Sequence, residues 1–379
     1  MTRILVWQWG RRGAGPKFAV ELAAALARLP NHEVILSVSQ KAEILPALKN
    51  TPYALWPVGT YTNRPEFFLR LLTLPIFFIR LLISLRKFRP DMTICAMPGL
   101  IDLVMAAALR LLRIPLAVIV HDAFNHPGDG LPLQMCLQKA LLRRADVLIV
   151  LTQHVGKALE ESDPSLRGLP VVVLSHPPFD YQESDASCQD LERPVRLLMF
   201  GRLLAYKGLD ILGDALKRLP PNGRWECIIA GEGPETEVLH RLSDIAGVRV
   251  DNRWIPENEV GELIGWSDIL LLPYREASQS GVGATALAAG RWIVATSVGG
   301  LTEQLAGQER VVFSQPDAAD FSAVLKGLID RNVRPVPEVA SKVAGEWSAM
   351  AQQMSDVLRM RLPLTETDGI SRQARGLRH

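Results

Sequence analysis

Cysteine is scarce in this chain. There are four in 379 residues, at positions 95, 136, 188 and 227, and no two stand in a C-x-x-C spacing. A disulfide-stapled scaffold is thereby excluded. With the histidines unclustered no zinc-ligand spacing remains, and the residue usage suits a reducing compartment. Long hydrophobic runs are also missing. In the most apolar region, Pro65–Arg89, the longest uncharged stretch is the nine residues Leu71–Ile79, whereas a spanning helix needs about 20. Arg70 and Arg80 would sit within any such span and Pro75 would break it, so crossing a bilayer is not expected. The apolar run at the start, before Arg11 and Arg12, is too short for a secretory signal. Neither a nucleic-acid reader motif nor an interleaved basic–aromatic run is present, and no short-period repeat is visible.

What is present is ample apolar material, 48% of residues, and length for two or three domains with sizeable cores. The net charge of +2 is unevenly spread: residues 1–120 carry 15 Lys+Arg against 6 Asp+Glu, and the remainder carries 27 against 34. Mean hydropathy is +0.12, high for a freely soluble protein. A basic, apolar N-terminal part points to an anionic membrane surface or an acidic ligand. The segment 64–89, rich in Leu, Ile and Phe with interspersed arginines, reads as one or two amphipathic surface helices or as a core-facing helix of the first domain.

Short apolar strand candidates alternate with helical patterns: Ile4–Trp7, Glu33–Val38, Met92–Ala96, Leu116–Val120, Val147–Leu151, Val171–Leu174, then Val195–Phe200, Glu226–Ala230, Val248–Val250, Ile269–Leu272 and Trp292–Thr296. This is the rhythm of α/β, doubly wound parallel sheets. A polar stretch near 180–194 separates two such units. The expected organisation is a domain over 1–180, a second over 195–345, a late helix at 346–360 and a polar tail from 361 to 379. Ligands of such sheets bind beyond the carboxyl ends of the strands, and the motifs fall there.

The strongest is Phe200-Gly201-Arg202-Leu203-Leu204-Ala205-Tyr206-Lys207-Gly208. A planar guanidinium and a mobile ammonium five residues apart, before a helix N-terminus, make a diphosphate clamp, or else two solvated loop cations. Gly231 and Gly233 follow the next strand and permit close approach of a ligand to the backbone, or simply a tight turn. Gln279, Ser280 and Gly281 open a small-residue helix with Thr285 on its first turns, an anion-binding nest or a tightly packed helix. In the first half, Arg11, Arg12, Gly13 and Gly15 form a cationic strand-to-helix turn. His121 and Asp122 follow a strand and point into the cleft. His126, His154, His176 and His240 read as structural.

Together these segments resemble the retaining glycosyltransferases of family 4 (glycosyl transferases group 1), densely in the second half and loosely in the first. The match runs through FRPD (Phe88–Asp91), His121-Asp122, VVVLSHPPFD, GRLLAYKGLD, AGEGPE, SDILLLPY and ATSVGGLTE. The resemblance implies the two-domain GT-B fold and a UDP- or GDP-sugar donor on the second domain. Arg202 and Lys207 would hold the diphosphate, and no metal or other cofactor would be needed. His121 would lie near the transferring sugar, Gly13 and Gly15 near the diphosphate or acceptor, Ile255 at the base, and Arg11, Arg12 and Asp122 toward the acceptor. One departure stands out. The family's two glutamates eight apart map to Ala277 and Thr285, and the chain carries the Ser-Gln-Ser-Gly version of some bacterial members at Ser278–Gly281. The acceptor implied is a glycan or polyprenyl-linked oligosaccharide of exopolysaccharide or cell-envelope assembly, at the inner face of the cytoplasmic membrane. The rival readings are a GT-B-shaped nucleotide-sugar epimerase and a catalytically weak nucleotide-sugar-binding scaffold of a membrane assembly complex.

Overall fold

The computed structural model describes residues 1–124, 132–181, 191–336 and 341–361. His126, Cys188, most of the expected linker and the tail from 362 lie outside the described residues.

Two parallel sheets organise the chain. The first contains β1 (Thr2–Gln8), β2 (His32–Ser39), β3 (Ala54–Val58), β4 (Met92–Cys95), β5 (Leu116–Val120), β6 (Val147–Val150) and β7 (Val171–Val173), in the order β3-β2-β1-β4-β5-β6-β7. The second contains β8 (Val195–Phe200), β9 (Trp225–Ala230), β10 (Val248–Asp251), β11 (Ile269–Leu272), β12 (Trp292–Thr296) and β13 (Val311–Ser314), in the order β10-β9-β8-β11-β12-β13. The central strands are near-continuous apolar runs such as Leu116–Val120 and Ile269–Leu272, and they are buried on both faces, as helix-covered parallel sheets require. Each sheet accordingly carries two apolar layers, one per face. Two strands escaped the sequence reading. β3 contains Pro57, which a sheet tolerates at an edge, and both β3 and β13 are edge strands.

Strand order reverses between β1 and β4 and between β8 and β11. Ligand crevices form at such switch points, so the loops after these four strands are where a site belongs.

The helix Ser341–Arg361 returns to the first lobe. Trp347, Met350, Ala351, Met354 and Leu358 make an i, i+3, i+4, i+7 stripe that is buried in the core containing Phe18, Leu22 and Leu26 of the helix Ala14–Ala27. Trp347 Nε1 donates to the Pro178 carbonyl at 2.7 Å, and the His32 ring meets Ser355 Oγ at 2.9 Å. Burying Met350, Met354 and Leu358 contributes about 1.5–3 kcal/mol each relative to exposure.

The segment 64–89 forms two helices, Arg64–Leu72 and Leu74–Phe88, bent by 68° at the break. Asn63 caps the first by accepting from Glu66 N–H, and Pro75 starts the second. Phe77, Leu81 and Leu85 bury one side of the second helix. No single helix among the described residues is long and apolar enough to cross a membrane.

Candidate active site between the two lobes

The second lobe supplies a rigid cationic corner. The loop after β8 is pinned to its neighbours: Leu203 N–H donates to the Glu232 carbonyl at 2.9 Å, and Arg275 N–H to the Tyr206 carbonyl at 2.8 Å. Gly208 (φ +70°) lies so close to the β11 loop that a Cβ would stand 1.7 Å from the Pro273 carbonyl oxygen. This fixes the short 3₁₀ turn Ala205–Lys207. Lys207 Nζ sits 3.7 Å from the centroid of the Tyr274 ring and 5.0 Å from that of Tyr206, and an Arg202 Nη2 donates to the Tyr206 hydroxyl at 3.2 Å. Burial pulls the Lys207 pKa down; the Tyr206 side chain and Asp122 act the other way, and Arg202 adds to the lowering. A partly desolvated ammonium on two ring faces, next to a like charge, favours an anion strongly.

The first lobe faces this corner with His121 and Asp122. His121 is buried directly after β5, its ring edge-on to Phe18. Its Nε2 is 2.9 Å from the Ala96 carbonyl. A carbonyl only accepts, so Nε2 carries the hydrogen and Nδ1 is left as the acceptor. Burial is the main cause that lowers the His121 pKa, so the ring is neutral at pH 7. Asp122 belongs to the first lobe yet acts electrostatically on both Lys207 and Tyr206. Asp122, of the expected His–Asp pair, is thus brought to the expected cation pair across the cleft, while the His121 ring packs on Phe18 and near His176.

The Arg11–Gly15 turn reaches the same opening. Arg12 pairs with Glu43 and lies 5.6 Å from the Trp254 ring centroid, while a Cβ on Gly13 (φ +81°) would lie 3.8 Å from Trp254. Arg11 acts on Tyr61 beside it. Lys17 bridges to Glu257 at 3.2 Å, a contact between lobes. Further out, Thr152 Oγ1 donates to the Ser278 carbonyl at 3.0 Å, and the Glu303 carboxylate accepts from Gln153 and His154 N–H at 2.7 and 3.1 Å, capping the helix Gln153–Ser162.

Several sequence-predicted donor residues occupy structural positions. A Cβ on Gly231 (φ +146°) would stand 1.7 Å from the Gly201 carbonyl oxygen, and one on Gly233 would stand 2.3 Å from that of Leu203. These glycines let the β8 and β9 loops nest together. Gly15 is packed on Gln8 and Met97. Thr285 is buried, its hydroxyl accepting from Phe179 N–H at 3.2 Å, and Ile255 is buried in the apolar cluster that also holds Tyr274 and Ala277. Ser280 Oγ caps the helix Gly281–Ala288 by accepting from Gly283 N–H at 3.1 Å, while its backbone is held by Gln304. Gln279 Oε1 is buried and makes no hydrogen bond.

The sequence motifs contain Tyr206 and Tyr274, and the Trp254–Pro256 loop is where the resemblance places the base, but neither the aromatic shelf under Lys207 nor the approach of Trp254 to Arg12 was legible. Tyr206 stands one residue before Lys207 and Tyr274 ends SDILLLPY; that both rings meet the Lys207 ammonium gave no signal, because they sit on different strand ends. His176 is buried in the same aromatic cluster, 6.1 Å from His121, and its ring lies 3.6 Å from where a Cβ on Gly281 would be. Its Nδ1 donates to the Pro177 carbonyl at 2.7 Å.

The family described as Glycosyltransferase Family 4 matches residues 16–195, and that described as Glycosyl transferases group 1 matches 194–331. The 2-deoxystreptamine glucosyltransferase of Streptomyces kanamyceticus is 25% identical over 64% of this chain and 68% of its own length. A D-inositol 3-phosphate glycosyltransferase of Corynebacterium aurimucosum is 26% identical over 68% and 66%. The chain therefore spans about two thirds of the length of these curated relatives. Among solved structures, Anabaena HepE in complex with UDP and glucose superposes with a TM-score of 0.70 at 16% identity, covering 94% of this chain and 99% of that one. The sucrose-phosphate synthase of Thermosynechococcus elongatus gives 0.69 at 16%, covering 95% and 99%. Two adjoining glycosyltransferase family matches and two facing parallel-sheet lobes identify the chain as a glycosyltransferase of the GT-B fold, of the group 1 and family 4 type.

Proposed function

We propose that the chain transfers a sugar, with retention of anomeric configuration, from a UDP- or GDP-sugar to a hydroxyl of a glycan or polyprenyl-linked oligosaccharide in exopolysaccharide or cell-envelope assembly, working as a peripheral protein on the inner face of the cytoplasmic membrane. The observation that carries the donor half is Lys207, seated on Tyr274 with Arg202 beside it and opposed by Asp122. A departing nucleoside diphosphate gains negative charge as the glycosidic bond breaks. Fixed cations aimed at that charge lower the barrier without reorganising. The helix Gly281–Ala288 adds N–H donors and a partial positive charge on the same side, and the buried Gln279 Oε1 is a ready acceptor for a donor hydroxyl. HepE, seen with UDP and glucose, favours UDP among the bases.

Neutral His121, with Nδ1 as its acceptor, suits a hydrogen bond from a sugar hydroxyl rather than proton delivery. Asp122 would release Lys207 to the diphosphate and turn to the acceptor. Arg11 and Arg12 at the mouth favour an anionic acceptor. Closure of the lobes excludes water that would hydrolyse the donor.

The test is a thermal-shift panel of UDP- and GDP-sugars, since a ligand of the folded state raises the melting temperature, followed by transfer of radiolabelled sugar from the stabilising donor into a membrane-lipid extract. Stabilisation with transfer is expected. Stabilisation with neither transfer nor donor hydrolysis would instead make the chain a binding scaffold. Interconversion of the donor sugar without acceptor would make it an epimerase.

A further inference from the structure

The bent helix pair Arg64–Leu72 and Leu74–Phe88 turns its apolar residues the wrong way for a water-facing surface. Phe68 and Leu72 are 64% and 80% exposed, and Ile76, Ile79 and Ile83 are 57%, 56% and 60% exposed. The three isoleucines follow i, i+3, i+7 and so form one outward stripe, opposite the buried Phe77, Leu81 and Leu85. A surface helix ordinarily presents polar residues there. Single exposed apolar residues are common, but a contiguous set on adjoining helices marks a contact surface.

The charges beside this stripe say what kind. Residues 64–89 hold six Lys+Arg, at 64, 70, 80, 86, 87 and 89, and one acid, Glu66, whose carboxylate is taken by Thr62 N–H at 2.7 Å. Between β3 and the second helix lies a cleft of about 480 Å³, walled by Arg70 and Arg80 over Trp56 and Phe77. The Arg70 guanidinium lies 4.7 Å from the Phe77 ring centroid and donates to the Gly59 carbonyl. Among the described residues no carboxylate forms an ion pair with Arg70 or Arg80, and the two like charges oppose one another. A second copy of the chain laid on this face would set these cations against their equivalents. An anionic lipid surface neutralises them.

We propose that the helix pair is a membrane-docking face that lies flat on an anionic bilayer, with Phe68, Leu72, Ile76, Ile79 and Ile83 entering the headgroup–acyl boundary and Arg70 and Arg80 gripping a lipid phosphate in the cleft. This gives a face and a lipid chemistry to the peripheral location proposed above, and rests on that reading. The arginine stems reach along the apolar surface while their heads stay at phosphate level.

The experiment is co-sedimentation of the full chain with vesicles of phosphatidylcholine alone and of phosphatidylcholine with phosphatidylglycerol at about three to one. The chain is expected to pellet with the mixed vesicles, to stay in solution with phosphatidylcholine, and to bind less as salt rises. Arg80→Gln should weaken binding about fivefold, the worth of one cation near a charged surface. The triple variant Ile76→Ser, Ile79→Ser, Ile83→Ser should weaken it more than about tenfold. These side chains are exposed, and circular dichroism together with the UDP-sugar thermal shift checks that each variant is folded and its donor site intact. Wild-type chain left in solution with anionic vesicles at low salt would overturn the proposal, as would a triple variant that pellets like wild type. Light scattering showing a dimer that the triple variant abolishes would assign the face to a second copy instead. Vesicle binding without sugar transfer would retire the transferase reading and leave the docking face standing; transfer to a soluble acceptor without vesicle binding would do the reverse.

Discussion

The two walls of the cleft are built by different means. The second lobe holds its cations by backbone nesting: Gly208 against Pro273, Gly231 against Gly201 and Gly233 against Leu203, all at separations that no side chain permits. The first lobe holds its histidine by burial in an aromatic cluster of Phe18, His176, Phe179 and Trp347. A wall made of interlocked loops tolerates almost no variation and leaves a recognisable sequence. A wall made of packed rings tolerates exchange of one apolar shape for another, which frees the acceptor side to vary.

That contrast can be broken at several points. Lys207→Ala should lower turnover by about a thousandfold or more, the loss of a fixed charge at a departing anion, with the melting temperature held; near-wild-type turnover would remove the clamp. His121→Ala should lower kcat by about a hundredfold and leave donor affinity by calorimetry little changed, since His121 sits on the other wall. Gly231→Ala should cost roughly 1–3 kcal/mol from its left-handed backbone, with further loss from the clash with Gly201. It should lower donor affinity as well, although residue 231 has no side chain to contact a ligand; unaltered thermal unfolding would show that the nesting is not needed.

The aromatic wall has its own signature. His176 titrates at about 4, against an ordinary 6.5, chiefly because it is buried and then because His121 is near. The unfolded chain takes up a proton that the folded chain refuses. The stability this gives is complete above pH 6.5 and is lost as pH falls toward 4. Urea titrations across that window should show the decline, and His176→Phe should flatten it. The smallest effect is expected from Thr285→Val. Losing the bond to Phe179 N–H should cost about 1 kcal/mol, with donor affinity kept; a large loss of affinity would return Thr285 to the donor site.

Much of this was legible in the sequence. Period and composition show the alternating strands and helices, and Arg202 and Lys207 stand out because charge after a buried strand is unusual. The His121–Asp122 pair is marked by its place at a strand end. What could not be read is which of several glycines meets a ligand and which meets the backbone. A Gly-rich turn looks the same in both cases, and only the partner loop, 30 residues away for Gly231 and Gly201, decides. The same holds for Tyr274, which reaches Lys207 from another strand, and for β3, whose Pro57 masks an edge strand.

The helix Ser341–Arg361 carries a consequence for how the protein comes into being. The first lobe has part of its apolar interior supplied by residues translated after the second lobe, Trp347 through Leu358. A nascent first lobe leaving the ribosome therefore shows an unfilled groove along the helix Ala14–Ala27 until the whole second lobe has been made. Domains generally fold as units in order of synthesis; here the core of the first is completed by the helix that follows the second, so the active cleft assembles only after residue 361 has been made.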